Sequence, residues 1–126
     1  MASQAKKAVT MNTSILNSIK KLLGLDPEYT PFDTDIIIHI NTVLRILNQI
    51  GIGSKTFRVT GASETWDQFL TGPKDTNLDD VITFVYLRVR LLFDPPTSGI
   101  ATDAIKATID ELTWRLNVAV DPGSML

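Results

Sequence analysis

Few residues in this sequence are spaced for chemistry. Asp35 and His39 lie one helical turn apart, so both side chains are able to face one metal ion or one substrate. A metal would need further ligands, and a general base would need a nucleophile or a pocket. The plainer reading is a carboxylate near a helix start beside an edge histidine. Asp75-x-Asn77-x-Asp79 opens like a calcium loop, but Asp80 stands where that loop needs glycine and Tyr86 where it needs a bidentate glutamate. These acids suit a helix start, where the dipole favours negative charge. Gly51-x-Gly53 lacks the third glycine of a dinucleotide fingerprint and does not lead straight into a helix. It reads as a helix stop and turn. The sequence has neither a P-loop nor a nucleophile elbow.

Composition narrows the choice further. The chain has 126 residues with no cysteine and one histidine. Disulfide frameworks, thiolate zinc sites, iron–sulfur clusters and cysteine nucleophiles are therefore excluded, as is a His–His metal pair within one chain. Lys and Arg number 12 against 14 Asp and Glu, for a net charge of −2, so no global basic footprint points to nucleic acid. With 44% apolar and 21% charged residues, the chain is sized for one domain that buries roughly two-thirds of its unfolded surface. Apolar runs such as Ile36-Ile37-Ile38 fall far short of the ~20 residues that span a bilayer, and Met1–Thr10 holds no signal-peptide core. The expectation is a soluble, cytoplasmic-type protein that is not an enzyme and needs no cofactor and no metal.

Charge is unevenly distributed. Lys6, Lys7, Lys20 and Lys21 make the first 24 residues basic with no acid, whereas residues 60–80 carry five acids against one lysine. Charge runs of this kind ordinarily keep a surface wet. The functional alternatives are complementarity between neighbouring subunits or with a partner, and DNA binding through the basic start. The latter lacks the interleaved aromatics of a base-stacking surface.

The elements that position these residues read as helices. The first spans Ser14–Leu23, with Thr13 or Ser14 as cap and Gly24 as the left-handed stop. Pro27 and Pro31 punctuate the loop that follows. The second begins at an Asp33 or Thr34 cap, buries Ile36, Ile40, Val43, Leu47 and Ile50, and ends at Gly51. Ile38 falls on its polar side. Residues 52–60 form a short strand or an extended loop, and Ser63 opens a short helix over Glu64–Leu70. The fourth helix spans Leu78–Phe93 with Asn77 as cap. One stripe holds Leu78, Ile82, Val85, Val89, Leu92 and Phe93, and a roughly opposite one holds Phe84, Leu87 and Leu91, with Arg88 and Arg90 between them. Such a helix must be covered on two sides, either at the centre of the bundle or by another subunit. Asp94-Pro95-Pro96 stops it. The last helix, Gly99–Asn117 with Ser98 as cap, buries Ala101, Ile105, Ile109, Leu112 and Leu116, and leaves Trp114 off that face near Ala104 and Ala107. The fold class is all-α: a small bundle of four to five helices with one short extended segment or hairpin-like loop.

Four segments, read in order, carry a family likeness: Tyr29-Thr30-Pro31-Phe32-Asp33-Thr34-Asp35-Ile36, Glu64-Thr65-Trp66-Asp67-Gln68-Phe69-Leu70, Tyr86-Leu87-Arg88-Val89-Arg90-Leu91-Leu92-Phe93-Asp94-Pro95-Pro96-Thr97-Ser98, and Trp114-Arg115-Leu116-Asn117. Together they resemble the head–tail connector (adaptor, or head-completion) proteins of long-tailed bacteriophages and prophages. The resemblance covers about Ile15 to Val120 and implies a structural virion protein at the head–tail interface, assembled in the host bacterial cytoplasm. It further implies a homo-oligomeric ring of about twelve-fold symmetry beneath the portal protein. That ring extends the channel through which genomic DNA passes without sequence-specific binding, and offers a platform to a stopper or tail-completion protein. The expected layout is a flexible leader over 1–13, a single helical connector domain over 14–120 and a tail over 121–126. A ring subunit needs two different, complementary side surfaces. Ile38, Phe84, Leu87, Arg88, Arg90, Leu91 and Trp114 are the candidates for subunit or portal contact.

Overall fold

Five helices follow one another in the computed structural model, which describes residues 9–71 and 77–120: α1 (Ile15–Leu22), α2 (Asp33–Ile50), α3 (Trp66–Phe69), α4 (Leu78–Phe93) and α5 (Gly99–Val120). The described residues contain no strand; residues 52–60 take the loop alternative, and one isolated antiparallel bridge joins Ser14 to Thr65. The fold is the expected small all-α bundle.

Local chemistry sets most of the helix ends. Ser14 Oγ accepts the Asn17 N–H at 3.1 Å, Asn77 Oδ1 accepts that of Asp80 at 3.1 Å, and Ser98 Oγ accepts that of Ala101 at 3.3 Å. Each satisfies one of the donors that a helix start leaves open. The start of α2 departs from expectation. Asp33 is its first helical residue and Phe32 occupies the cap position without a side-chain bond. The Asp33 carboxylate turns instead to Lys20 Nζ, 2.8 Å away. Helix α3 is shorter than the Glu64–Leu70 reading because Glu64 folds its carboxylate back onto the Thr60 hydroxyl and the Gly61 N–H. Helix α5 runs on past Asn117 to Val120.

Helix α4 lies between α2 and α5 and packs on both, with α1 closing one side against α2 and α4. Phe32 meets Phe93, with ring centroids 5.4 Å apart, so the start of α2 lies by the end of α4. Arg115 reaches Asp80, so α5 also runs antiparallel to α4, and α2 and α5 point the same way. The centre of the bundle accounts for the two-sided apolarity of α4. Val81, Ile82, Val85 and Val89 are buried, and so is Phe84 on the other stripe. From α2 come Ile36, Ile40, Val43, Leu44 and Leu47, and from α5 only Ile109, Leu112 and Leu116. Complete burial of a side chain the size of Phe84 contributes ~2–3 kcal/mol.

Side-chain amides fasten the loop after α2. Asn41 accepts from Val59 N and donates to Val59 O, both at 2.9 Å, and Asn48 Nδ2 donates to Ile52 O at 3.0 Å. Gly53 adopts φ +83°, and a Cβ there would fall 2.1 Å from the Phe69 ring, so only glycine fits. The indole N–H of the buried Trp66 donates to Ser18 Oγ at 3.2 Å and ties α3 to α1. Of the expected leader, Val9 and Met11 pack against the core and the Met11 carbonyl accepts the Asp67 N–H at 2.8 Å. Residues 1–8 and 121–126, with most of that leader and all of the expected tail, lie outside the described residues, as does Asp75 of the calcium-like run.

Candidate functional site

The outer stripe of α2 consists of Asp35, Ile38, Thr42, Arg45 and Gln49, all exposed. Their three- and four-residue spacing keeps them on one line opposite the buried stripe. Ile38 is 56% exposed, an apolar side chain in a polar row. Towards the C-terminal end of α2, Arg45, Asn48, Gln49 and Lys55 line an open cavity of about 270 Å³. Asn48 is engaged with the loop backbone, and the Arg45 guanidinium and the Lys55 ammonium line the hollow with no ion pair among the described residues.

On α5 the corresponding outward row is Ile100, Ala104, Ala107, Glu111 and Trp114, with Asp103 and Asp110 alongside. Ile100 is 85% exposed and Trp114 58%, while the alanines between them leave a shallow trough. No residue from Gly99 to Thr108 is buried, so the first half of this helix contributes little to the core. Arg115 holds Glu111 at 2.5 Å and lies 3.7 Å from Asp80.

The remaining sequence candidates divide. Phe84 is a correction: it is fully buried inside the protomer and has no outer face to offer, because α4 is the central helix. Leu87 and Leu91 are half-buried against the same core. Arg88 is half-buried with its guanidinium carbon 4.9 Å from the Phe84 ring centroid, a cation–π arrangement, and its buried Nε has no hydrogen-bond partner among the described residues. Arg90 donates to the Tyr86 hydroxyl at 3.4 Å. Sequence reasoning passed over Ile100, and it placed Leu92 in the core, where it is in fact exposed. It also passed over the Tyr29–Phe32–Phe93 aromatic run at the same end of the bundle, where the successive centroids are 5.9 and 5.4 Å apart. The position of Ile100 off the Ile105–Ile109–Leu112–Leu116 stripe was the available signal.

The chemical candidates gain no partners. Among the described residues, no group of three or more His, Asp and Glu side chains gathers around Asp35 and His39. Asn77 serves α4 as its cap. Lys20 corrects the basic-start reading. It is fully buried, donates to the Pro27 carbonyl at 2.9 Å and pairs with Asp33, so its charge is not available to a polyanion. Glu64 titrates abnormally: partial burial opposes its charged form, but hydrogen bonds from the Thr60 hydroxyl and from backbone N–H groups outweigh that and hold its pKa below the ordinary carboxylate value. No helix among the described residues is long and apolar enough to cross a membrane.

The surfaces that stand out among the described residues are the exposed Ile100–Trp114 row of α5 and the row of α2 that carries Ile38 and Arg45. Comparison with protein families matches residues 15–123 to the family described as phage connector protein. No curated protein and no solved structure matches the chain. The matched stretch takes in all five helices, both outward rows and the core between them, and the chain belongs to the phage connector protein family.

Proposed function

We propose that this protein is a structural head–tail connector whose copies close into a ring beneath the portal protein, extend the DNA channel and present a platform to the stopper or tail-completion protein that follows. Beside the family, the observation that carries this reading is Trp114, a large aromatic held 58% exposed on a helix whose opposite side is core. Exposed aromatics of this kind are characteristic anchors of protein contacts. A chain with a net charge of −2 lets DNA slide past without gripping its phosphates. Residues 14–120 form the single ring-building domain in this reading. Electron microscopy of the chain mixed with its portal protein tests it. The expected result is an added ring of about twelve-fold symmetry for wild type, and a weakened ring for Trp114→Ala with helical circular dichroism unchanged. A portal that acquires no added ring overturns the proposal, and salt-sensitive gel shifts of duplex DNA by the free chain would favour a DNA-binding regulator instead.

A further inference from the structure

The two outward rows differ in their balance of charge and lie on different helices, α2 and α5, which both pack on α4 and touch each other far less. The α5 flank carries Asp103 and Asp110, neither of them in an ion pair among the described residues, together with Ile100, Trp114 and Glu111, whose charge Arg115 meets; Lys106 sits at its margin. The α2 flank carries Arg45 and Lys55 around an open hollow towards its C-terminal end, also unpaired among the described residues, with Ile38 and the acid Asp35 nearer its start. From Ile100 to Trp114 and from Asp35 to Gln49 the helical rise is the same, about 21 Å. A ring needs this asymmetry: one patch that meets a different, complementary patch on the next copy.

We infer that the acidic, tryptophan-bearing flank of α5 docks on the basic flank of α2 in a second copy of this chain, with Trp114 covering the hollow between Arg45, Gln49 and Lys55. This rests on the ring reading above and names its contact. Within the protomer α2 and α5 point the same way, and Val120 lies against Gly51, its Cγ2 3.7 Å from where a Cβ would sit. The ends of the two helices are therefore level. Rotation about a ring axis along these helices keeps them level, so Arg45 of one copy faces the turn from Asp110 to Trp114 of the next, and Ile38 faces the trough at Ala104 and Ala107. Arg45 then gains both a carboxylate, Asp110, and an aromatic face, so the attraction lies at the C-terminal half of the contact, while Asp103 comes level with Asp35 and adds none.

Charge reversal tests the contact, with rings counted by electron microscopy on the portal protein and by native mass spectrometry without it. R45E/K55E and D110R should each reduce the ring population about tenfold or more while keeping wild-type circular dichroism. The triple variant, in which both sides of the contact are reversed, should restore it, as should an equimolar mixture of the two separate variants. If either variant forms rings as wild type does, or if the folded triple variant stays unassembled, the contact is misassigned, while wild-type rings on the portal leave the connector reading standing. Variants that form free rings normally but no longer sit on the portal would place a portal face here, and also overturn the inference. If wild type forms no ring at all, the connector reading falls first.

Discussion

Placing the Lys20 ammonium inside the bundle costs desolvation, which the Asp33 carboxylate at 2.8 Å and the Pro27 carbonyl at 2.9 Å offset together. Lys20→Ala leaves Asp33 facing an emptied site and should lower stability by about 3 kcal/mol, read as a shift in urea midpoint at constant m. Lys20→Met with Asp33→Asn should lose less than the single change. Glu64 gives the chain a pH dependence of known sign. Its pKa is depressed in the fold, so its hydrogen bonds add stability above the unfolded-state value and lose that contribution as pH falls through the folded one. Melting temperatures of wild type and Glu64→Gln should therefore differ most near neutrality and converge in acid below about pH 4; a constant gap across that range would show that the carboxylate charge is not what matters.

At the scale of elements, helices α1, α4 and α5 were legible because each declares its start with a side-chain acceptor and its body with period-3.6 burial. Ser14, Asn77 and Ser98 are all caps in the structure. The start of α2 was not legible, because Asp33 is drawn away from capping by a lysine thirteen positions earlier, and no local pattern encodes a tertiary partner. Phe84 was misread for a related reason. Periodicity shows that a helix has two apolar sides but does not show whether the second is covered by its own chain. Ile38 and Trp114 were read as exposed because each breaks the polarity of its row. Helix α5 follows its pattern only from Ile109 onward; ahead of it, Ala101 and Ile105 are merely half-covered. That half-helix rests on little tertiary packing and should open readily. Hydrogen exchange in the free protein should be markedly faster for residues 99–108 than for 109–116, and should slow on assembly. Equal protection of both halves would show that the first half is held by contacts within the single protomer.

Seen as a whole molecule, the protomer is a bundle with α4 inside and two unlike helices outside, and that arrangement gives a small, cysteine-free chain two different faces. Its two tryptophans occupy opposite environments: Trp66 is sealed against α1 with its N–H bonded to Ser18, while Trp114 stands in water. The chain therefore carries its own optical gauge of the proposed ring closure. In the free protein, acrylamide or iodide should quench the red-shifted emission of one indole and leave the blue emission of the other. Trp66→Phe should isolate the red component, provided the fold survives. Ring closure should then move that component to shorter wavelength and hide it from the quencher, so a cuvette can follow the joining of subunits without any added dye.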